Sequence, residues 1–181
     1  MVKKIGIIVG SLREKSFSKA VAEYVSSLLA GKYQTEFIKY DKLEIYNQDL
    51  DDKPYPSWTE FREKVKGVDA LLFVTPEYNR SFPGGLKNAL DVGSRPYGAS
   101  VWGGKPGGVI SVSPGAIGGF GANHHLRQVL SFLDVYTLQQ PEAYVGGVMA
   151  SLDEDNKVTG ESLQKFLKTY ADAFAGWVDK F

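Results

Sequence analysis

The sequence predicts an α/β fold, a doubly wound five-stranded parallel sheet with helices on both faces. Three observations carry that prediction. Short apolar, β-branched runs recur along the chain, helical stripes alternate with them, and the loops after the first, third and fourth runs are rich in glycine, proline, serine or asparagine. Strict alternation of strand and helix builds a parallel sheet through crossover connections that cover both of its faces. At 181 residues, 43% hydrophobic and 23% charged, the chain can bury a full core, and a single domain over residues 1–181 is expected.

The elements follow in order. Ile5 to Val9 is a β-branched run suited to a strand buried on both faces. Ser18 to Leu29 carries apolar residues at 21, 22, 25, 28 and 29, a helical stripe that stops near Gly31. Thr35 to Tyr40 reads as a second strand, and residues 41 to 56 as a long polar loop. Ser57 to Lys66 reads as a helix, with Ser57 and Glu60 spaced as a capping box. Ala70 to Thr75 is a third strand, and Pro83 to Val92 a helix with proline in its first turn. Val109 to Val112, Asn123 to Leu133 and Glu142 to Val145 supply the fourth strand, a helix and the fifth strand. A final helix, Glu161 to Phe181, sets Phe166, Tyr170, Phe174 and Trp177 at helical spacing and so toward a core.

Composition excludes several classes of function. Basic and acidic residues both number 21, so no net field recommends nucleic acid or an acidic membrane as a partner. With no cysteine there is no disulfide, thiolate nucleophile or zinc–thiolate site. The apolar stretch after Lys4 is short and interrupted by glycine, unlike a signal peptide, and no window approaches a membrane span. A cytoplasmic protein is expected, which makes the sequon Asn79-Arg80-Ser81 a chance match.

In doubly wound sheets ligands sit outside the carboxyl ends of the strands, where the strand order reverses. The loops to search are therefore Gly10 to Phe17, Pro76 to Phe82 and Ser113 to Gly121. The first delivers the hydroxyls of Ser11, Ser16 and Ser18 and the guanidinium of Arg13 to a helix N-terminus, a suitable cradle for a phosphate. A lone serine there could simply cap the helix; four such groups in eight residues point to an anion. Neither a Walker loop nor G-x-G-x-x-G is present. Gly103-Gly104-Lys105 is followed by Pro106 and lacks a magnesium-holding hydroxyl. The implied ligand is a monophosphate.

The second loop, Pro76-Glu77-Tyr78-Asn79-Arg80-Ser81-Phe82-Pro83-Gly84-Gly85-Leu86-Lys87-Asn88-Ala89-Leu90-Asp91, resembles the P-E-Y-N-x-S-x-P-G-x-L-K-N-A-x-D signature of NADPH-dependent FMN reductases. Gly10-Ser11-Leu12-Arg13 with Ser16-Phe17 resembles their phosphate loop. The stretch from Gly118-Gly119 through His125-Leu126-Arg127, with Gln140-Pro141-Glu142 beyond it, is similar to the chromate and quinone reductase branch. The resemblance implies a flavodoxin-like fold and bound FMN, with NADPH or NADH as electron donor. It sets Ser11, Arg13, Ser16, Phe17 and Ser18 around the phosphate. Pro76, Glu77, Tyr78, Asn79 and Arg80 then lie along the flavin ring, with Ser113 and Gly115 on its far side. The chain departs from the pattern in four places. Ser18 stands where the family usually has Asn, and Arg80, Gly121 and His124 stand where the branch often has Tyr, Arg and Tyr.

The expected activity is hydride transfer from NAD(P)H through FMN to a quinone or similar small-molecule acceptor, such as a flavin, azo compound or metal oxyanion. The alternative is a flavodoxin-like carrier of single electrons, but such carriers are strongly acidic and this chain is neutral. No catalytic side chain is required, because FMN carries the chemistry; Glu77 is assigned a structural or ring-edge role. His124 and His125 are adjacent, about 100° apart on a helix, and are expected at a surface or interface rather than on a shared metal. Asp49, Asp51 and Asp52 lack the glycine and distal glutamate of a calcium loop. The aromatic segment holding Tyr97 and Trp102 suggests a subunit contact. The resemblance implies at least a homodimer, with Arg95 and Trp102 near the partner's flavin. A homotetramer would form through Arg127 and Glu142.

Overall fold

The computed structural model describes residues 2–181; Met1 lies outside them. Three strands fill the middle of the sheet: β1 (Lys4–Val9), β3 (Ala70–Pro76) and β4 (Pro106–Val112). The shorter β2 (Gln34–Phe37) lies outside β1. On the far side of β4 two short segments share one edge: β5 (Tyr136–Thr137) pairs with Pro106 and Gly107, and β6 (Ala143–Val145) with Ile110 to Val112. All pairings are parallel, in the order β2-β1-β3-β4 and then this split edge. The expected fifth strand is thus one edge occupied twice. Pro141, which has no N–H to give the ladder, stands between the two pieces.

Helices α1 (Phe17–Leu29) and α5 (Glu161–Val178) cover one face, packing Val21, Val25, Tyr170 and Phe174 on Ile5, Ile7, Leu72, Val74 and Ile110. On the other face, α2 (Pro56–Lys66), α3 (Gly84–Ser94) and α4 (Phe120–Phe132) pack Phe61, Val65, Leu86, Leu90, Leu126 and Leu130 on Ile8, Leu71, Phe73 and Val109. Successive β3 side chains alternate between the two cores, which is why that strand reads as an unbroken apolar run. In α5, Tyr170 and Phe174 are fully buried, while Phe166 and Trp177 are only partly so.

Several local expectations are corrected. The capping box at Ser57 does not form. Pro56, with its fixed φ, is already the first residue of α2, so Ser57 lies inside the helix and bonds the Glu44 carboxylate instead. Pro83 precedes α3 as its cap residue rather than sitting in the first turn. Helix α4 begins at Phe120, earlier than Asn123, because Gly119 (φ 75°) turns the chain directly into it.

The largest correction concerns Trp102, expected to face a partner subunit. It is completely buried: its indole N–H donates to the Leu90 carbonyl at 2.9 Å, and its ring packs on Phe61 and Phe73. The absence of a side chain at Gly93 makes room, since a Cβ there would lie 2.5 Å from the indole. Arg62 holds the same segment down, donating to the carbonyls of Val92, Gly93, Arg95 and Ala99. Tyr97 remains on the surface, 93% exposed.

Candidate functional site

The strand order reverses between β1 and β3, so the chain leaves these neighbours toward opposite faces and opens a crevice above the sheet. One wall is the β1–α1 loop. Ser16 caps α1, its hydroxyl accepting the Lys19 N–H at 3.2 Å, and both Ser16 and Ser18 are buried. Among the described residues, no acidic side chain stands in the first turn of α1 to compensate its N-terminal dipole. The Ser11 hydroxyl accepts the Arg13 N–H at 3.4 Å. The Arg13 guanidinium donates to the Lys15 carbonyl and lies 5.4 Å from the centre of the Phe17 ring.

Two residues that the sequence did not single out brace this wall. Tyr40, beyond the end of β2, donates its hydroxyl to the Val9 carbonyl at 2.9 Å; burial holds that hydroxyl well above the ordinary tyrosine range. Asn156 donates its amide to the Ser16 carbonyl at 3.1 Å. Both act across long sequence separations, so no local pattern announces them.

The second wall follows β3. Asn79 and Arg80 both adopt positive φ, 51° and 66°, and Tyr78 and Ser81 exchange backbone hydrogen bonds at 2.7 and 3.0 Å. This is the mirror-image two-residue turn, in which asparagine is at ease and arginine is not. Glu77 reaches away from the turn to accept the Ala122 N–H at 3.1 Å, and pairs with Arg80 at 3.1 Å. The third wall follows β4. Ser113 donates its N–H to Val145, and its hydroxyl accepts the Gly115 N–H at 3.0 Å.

These walls enclose a cleft of about 230 Å3. Ser11, Arg13, Ser16, Phe17, Ser18, Pro76, Glu77, Tyr78 and Ser113 line it, joined by Val112 and Pro114, which the sequence did not flag. Asn79, Arg80 and Gly115 lie outside the lining; they shape the turns behind it. A larger cleft of about 370 Å3 opens on the β2 side of the same loop and shares Ser11 and Arg13. Its rim mixes Glu14, Glu23 and Asp41 with Lys19 and Lys39, whereas all three candidate loops meet only in the smaller one.

The donor set of the smaller cleft fits one phosphate monoester: buried hydroxyls, first-turn amides and one guanidinium converge on a single wall. The proline-rigid walls opposite, Pro76 and Pro114, suit the edge and face of a flat ring. His124 and His125 take separate partners. His124 bonds the Tyr144 hydroxyl at 2.9 Å beside the Phe120 ring, and His125 bonds Ser81 at 3.1 Å. Burial, with Glu142 alongside, pushes the Tyr144 hydroxyl up to about 12.

The model of a family described as NADPH-dependent FMN reductase matches residues 3–150. A quinone reductase of Pseudomonas putida is 51% identical over 178 residues, covering 98% of this chain and 95% of the relative. A 2-hydroxy-1,4-benzoquinone reductase of a Burkholderia species is 44% identical over 178 residues, covering 98% and 97%. Among solved structures, FerB, a flavoenzyme NAD(P)H:(acceptor) oxidoreductase from Paracoccus denitrificans, superposes with a TM-score of 0.92 at 37% identity, covering 99% of this chain and 98% of that one.

Proposed function

The chain belongs to the NADPH-dependent FMN reductase family, and on that premise we propose that it is a quinone reductase that draws electrons from NAD(P)H through FMN held in the three-loop cleft. The observation that carries the reading is the convergence of the serine–arginine wall with the loops after β3 and β4 at the switch point of the sheet. When bound, FMN supplies the two-electron chemistry between NAD(P)H and the quinone.

The protein's own groups bind and orient. Ser11, Arg13, Ser16 and Ser18 hold the phosphate, with Phe17 beneath the Arg13 guanidinium. Pro76, Glu77 and Tyr78 line the ring, while Asn79 and Arg80 shape the turn that carries them. Ser113 lines the third wall on the opposite side, and its hydroxyl, accepting the Gly115 N–H, holds the turn behind it. Donor and acceptor would use the same cleft in turn.

Residues 1–181 act in this reading as one cytoplasmic domain; among the described residues no helix is long and apolar enough to cross a membrane. The assembly is at least a homodimer across α3 and α4, whose shared groove is lined by Phe82, Lys87, His125 and Gln128, with Arg95 near the partner's cleft. A further pairing to a tetramer uses α4 and Glu142.

The test is anaerobic mixing. The purified yellow protein, its flavin identified chromatographically, is mixed with NADPH or NADH and then with a benzoquinone. Rapid two-electron bleaching followed by quinone-dependent recovery of colour supports the reductase. Failure to bleach with either donor overturns it in favour of a single-electron carrier.

A further inference from the structure

Helix α4 lacks a capping side chain of its own. Its N-cap residue is Gly119, and among the described residues no acidic side chain occupies its first turn. A carboxylate arrives instead from the flavin loop. Glu77 Oε2 accepts the Ala122 N–H at 3.1 Å, one of the first-turn donors that no helical carbonyl can satisfy. The other oxygen, Oε1, receives Arg80 Nη1 at 3.1 Å. The Glu77 side chain, in the cleft lining, is 13% exposed and that of Arg80, outside it, 74%, so the acid is seated while the base beside it stands in solvent.

The surroundings are shaped around this arrangement. A Cβ at Gly121 would lie 2.7 Å from the Arg80 carbonyl oxygen and 3.0 Å from Glu77 Oε2, so only glycine lets the turn seat on α4. One turn further along the helix, His125 bonds Ser81, a second tie between the same two segments. The turn so held contains Arg80 at a φ of 66°, a conformation that its neighbours must stabilise.

We infer that Glu77 is a positioning residue for the flavin: it caps α4 from the β3 loop, fixes the Asn79–Arg80 turn against that helix, and cancels the Arg80 charge beside the cleft. This rests on the FMN reading above. It assigns two separable jobs to one carboxylate. The cap needs only an acceptor, whereas charge cancellation needs the negative charge itself.

The experiment compares Glu77→Ala, Glu77→Gln, Arg80→Gln and the double variant Glu77→Gln/Arg80→Gln with the parent. It reads FMN dissociation constants of the apoproteins and midpoint potentials of bound FMN. Glu77→Ala should weaken FMN about tenfold and Glu77→Gln should restore most of that loss, because glutamine can still accept the Ala122 N–H. In potential the order changes. Glu77→Gln leaves Arg80 unpaired and should favour reduced over oxidised FMN by about three- to tenfold, or about 15–30 mV for a two-electron couple. Arg80→Gln should shift the potential the opposite way, and the double variant should return to the parental value. Parental affinity in Glu77→Ala, or parental potentials in both single glutamine variants, would overturn the proposal. If Glu77→Ala does not fold, the glutamine variants still carry the charge test. A parent that binds no FMN sinks the cofactor reading, a failure visible before any variant is made.

Discussion

Ser16 and Arg13 stand next to each other in the cleft, but removing them should have different side effects. Ser16 also caps α1, so Ser16→Ala should lower stability by about 1 kcal/mol in urea unfolding. Arg13 is exposed and its loss should leave stability unchanged. Together the two substitutions should weaken FMN by about 2–4 kcal/mol, the loss of charge-assisted phosphate bonds, measured by titration of apoprotein. Unchanged affinity in the double variant would remove the phosphate from this wall. Trp102 belongs to the same scale. Trp102→Ala should cost about 3–5 kcal/mol of stability as a large cavity opens beside Phe61 and Phe73, whereas Tyr97→Ala should stay within about 0.5 kcal/mol. Equal urea midpoints for the two variants would contradict the buried placement.

At the scale of the element, helix α4 and strand β6 make opposite use of their surroundings. Replacing an exposed glycine inside a helix by alanine ordinarily stabilises, and Gly176→Ala in α5, which faces open space, should do so by about 0.5–1 kcal/mol. Gly121→Ala in α4 should instead destabilise by about 1–3 kcal/mol, because the added methyl meets the Arg80 carbonyl and the Glu77 carboxylate. Thermal melts of the two variants moving in the same direction would show that the turn is not seated on α4 as described. On β6, the raised Tyr144 pKa makes a statement about pH. The folded state keeps the proton to about 12 while the unfolded chain releases it near 10, so this contribution is intact below pH 10 and is lost as pH rises from about 10 to about 12. Unfolding midpoints at pH 9 and pH 11 should therefore fall less steeply in Tyr144→Phe than in the parent; parallel decline would remove Tyr144 as a cause.

For the whole molecule, the three loops converge on one cleft at the switch point, and the proposed reading has donor and acceptor use that cleft in turn. Steady-state rates with NAD(P)H and a quinone should give parallel double-reciprocal lines. Intersecting lines would require a ternary complex. Light scattering at dilute concentration should report at least a dimer, and a fully active monomer would end the shared-cleft assembly.

Much of this architecture was written locally. A run such as Ala70 to Thr75, short and apolar but for its last residue, reads as a central strand, since each of its side chains must find a core on one face or the other. The stripe of α1 and the spacing of Tyr170 and Phe174 in α5 likewise report which side of an element is buried, because burial repeats with the period of the element. The convergence of the three loops was legible for a related reason: parallel topology brings the loops after strands 1, 3 and 4 to one end, and they line one cleft there.

Other features were decided only in three dimensions. Trp102, in a loop between glycines, looks the same in sequence whether it faces solvent, a partner or its own core; Phe61, Phe73 and Gly93 decided it. Tyr136 and Thr137 became a strand because β4 had an unpaired edge at Pro106 and Gly107, not through any propensity of two residues. Glu77 became the cap of a helix that starts more than forty residues later, and Tyr40 the brace of the β1–α1 loop. Sequence by itself determined what repeats within an element and which residue types gather in a loop, because those follow from local geometry. The tertiary structure alone decided which distant groups meet, because a hydrogen bond or a packed ring depends on the position of its partner, and only the closed sheet with its docked helices sets that position.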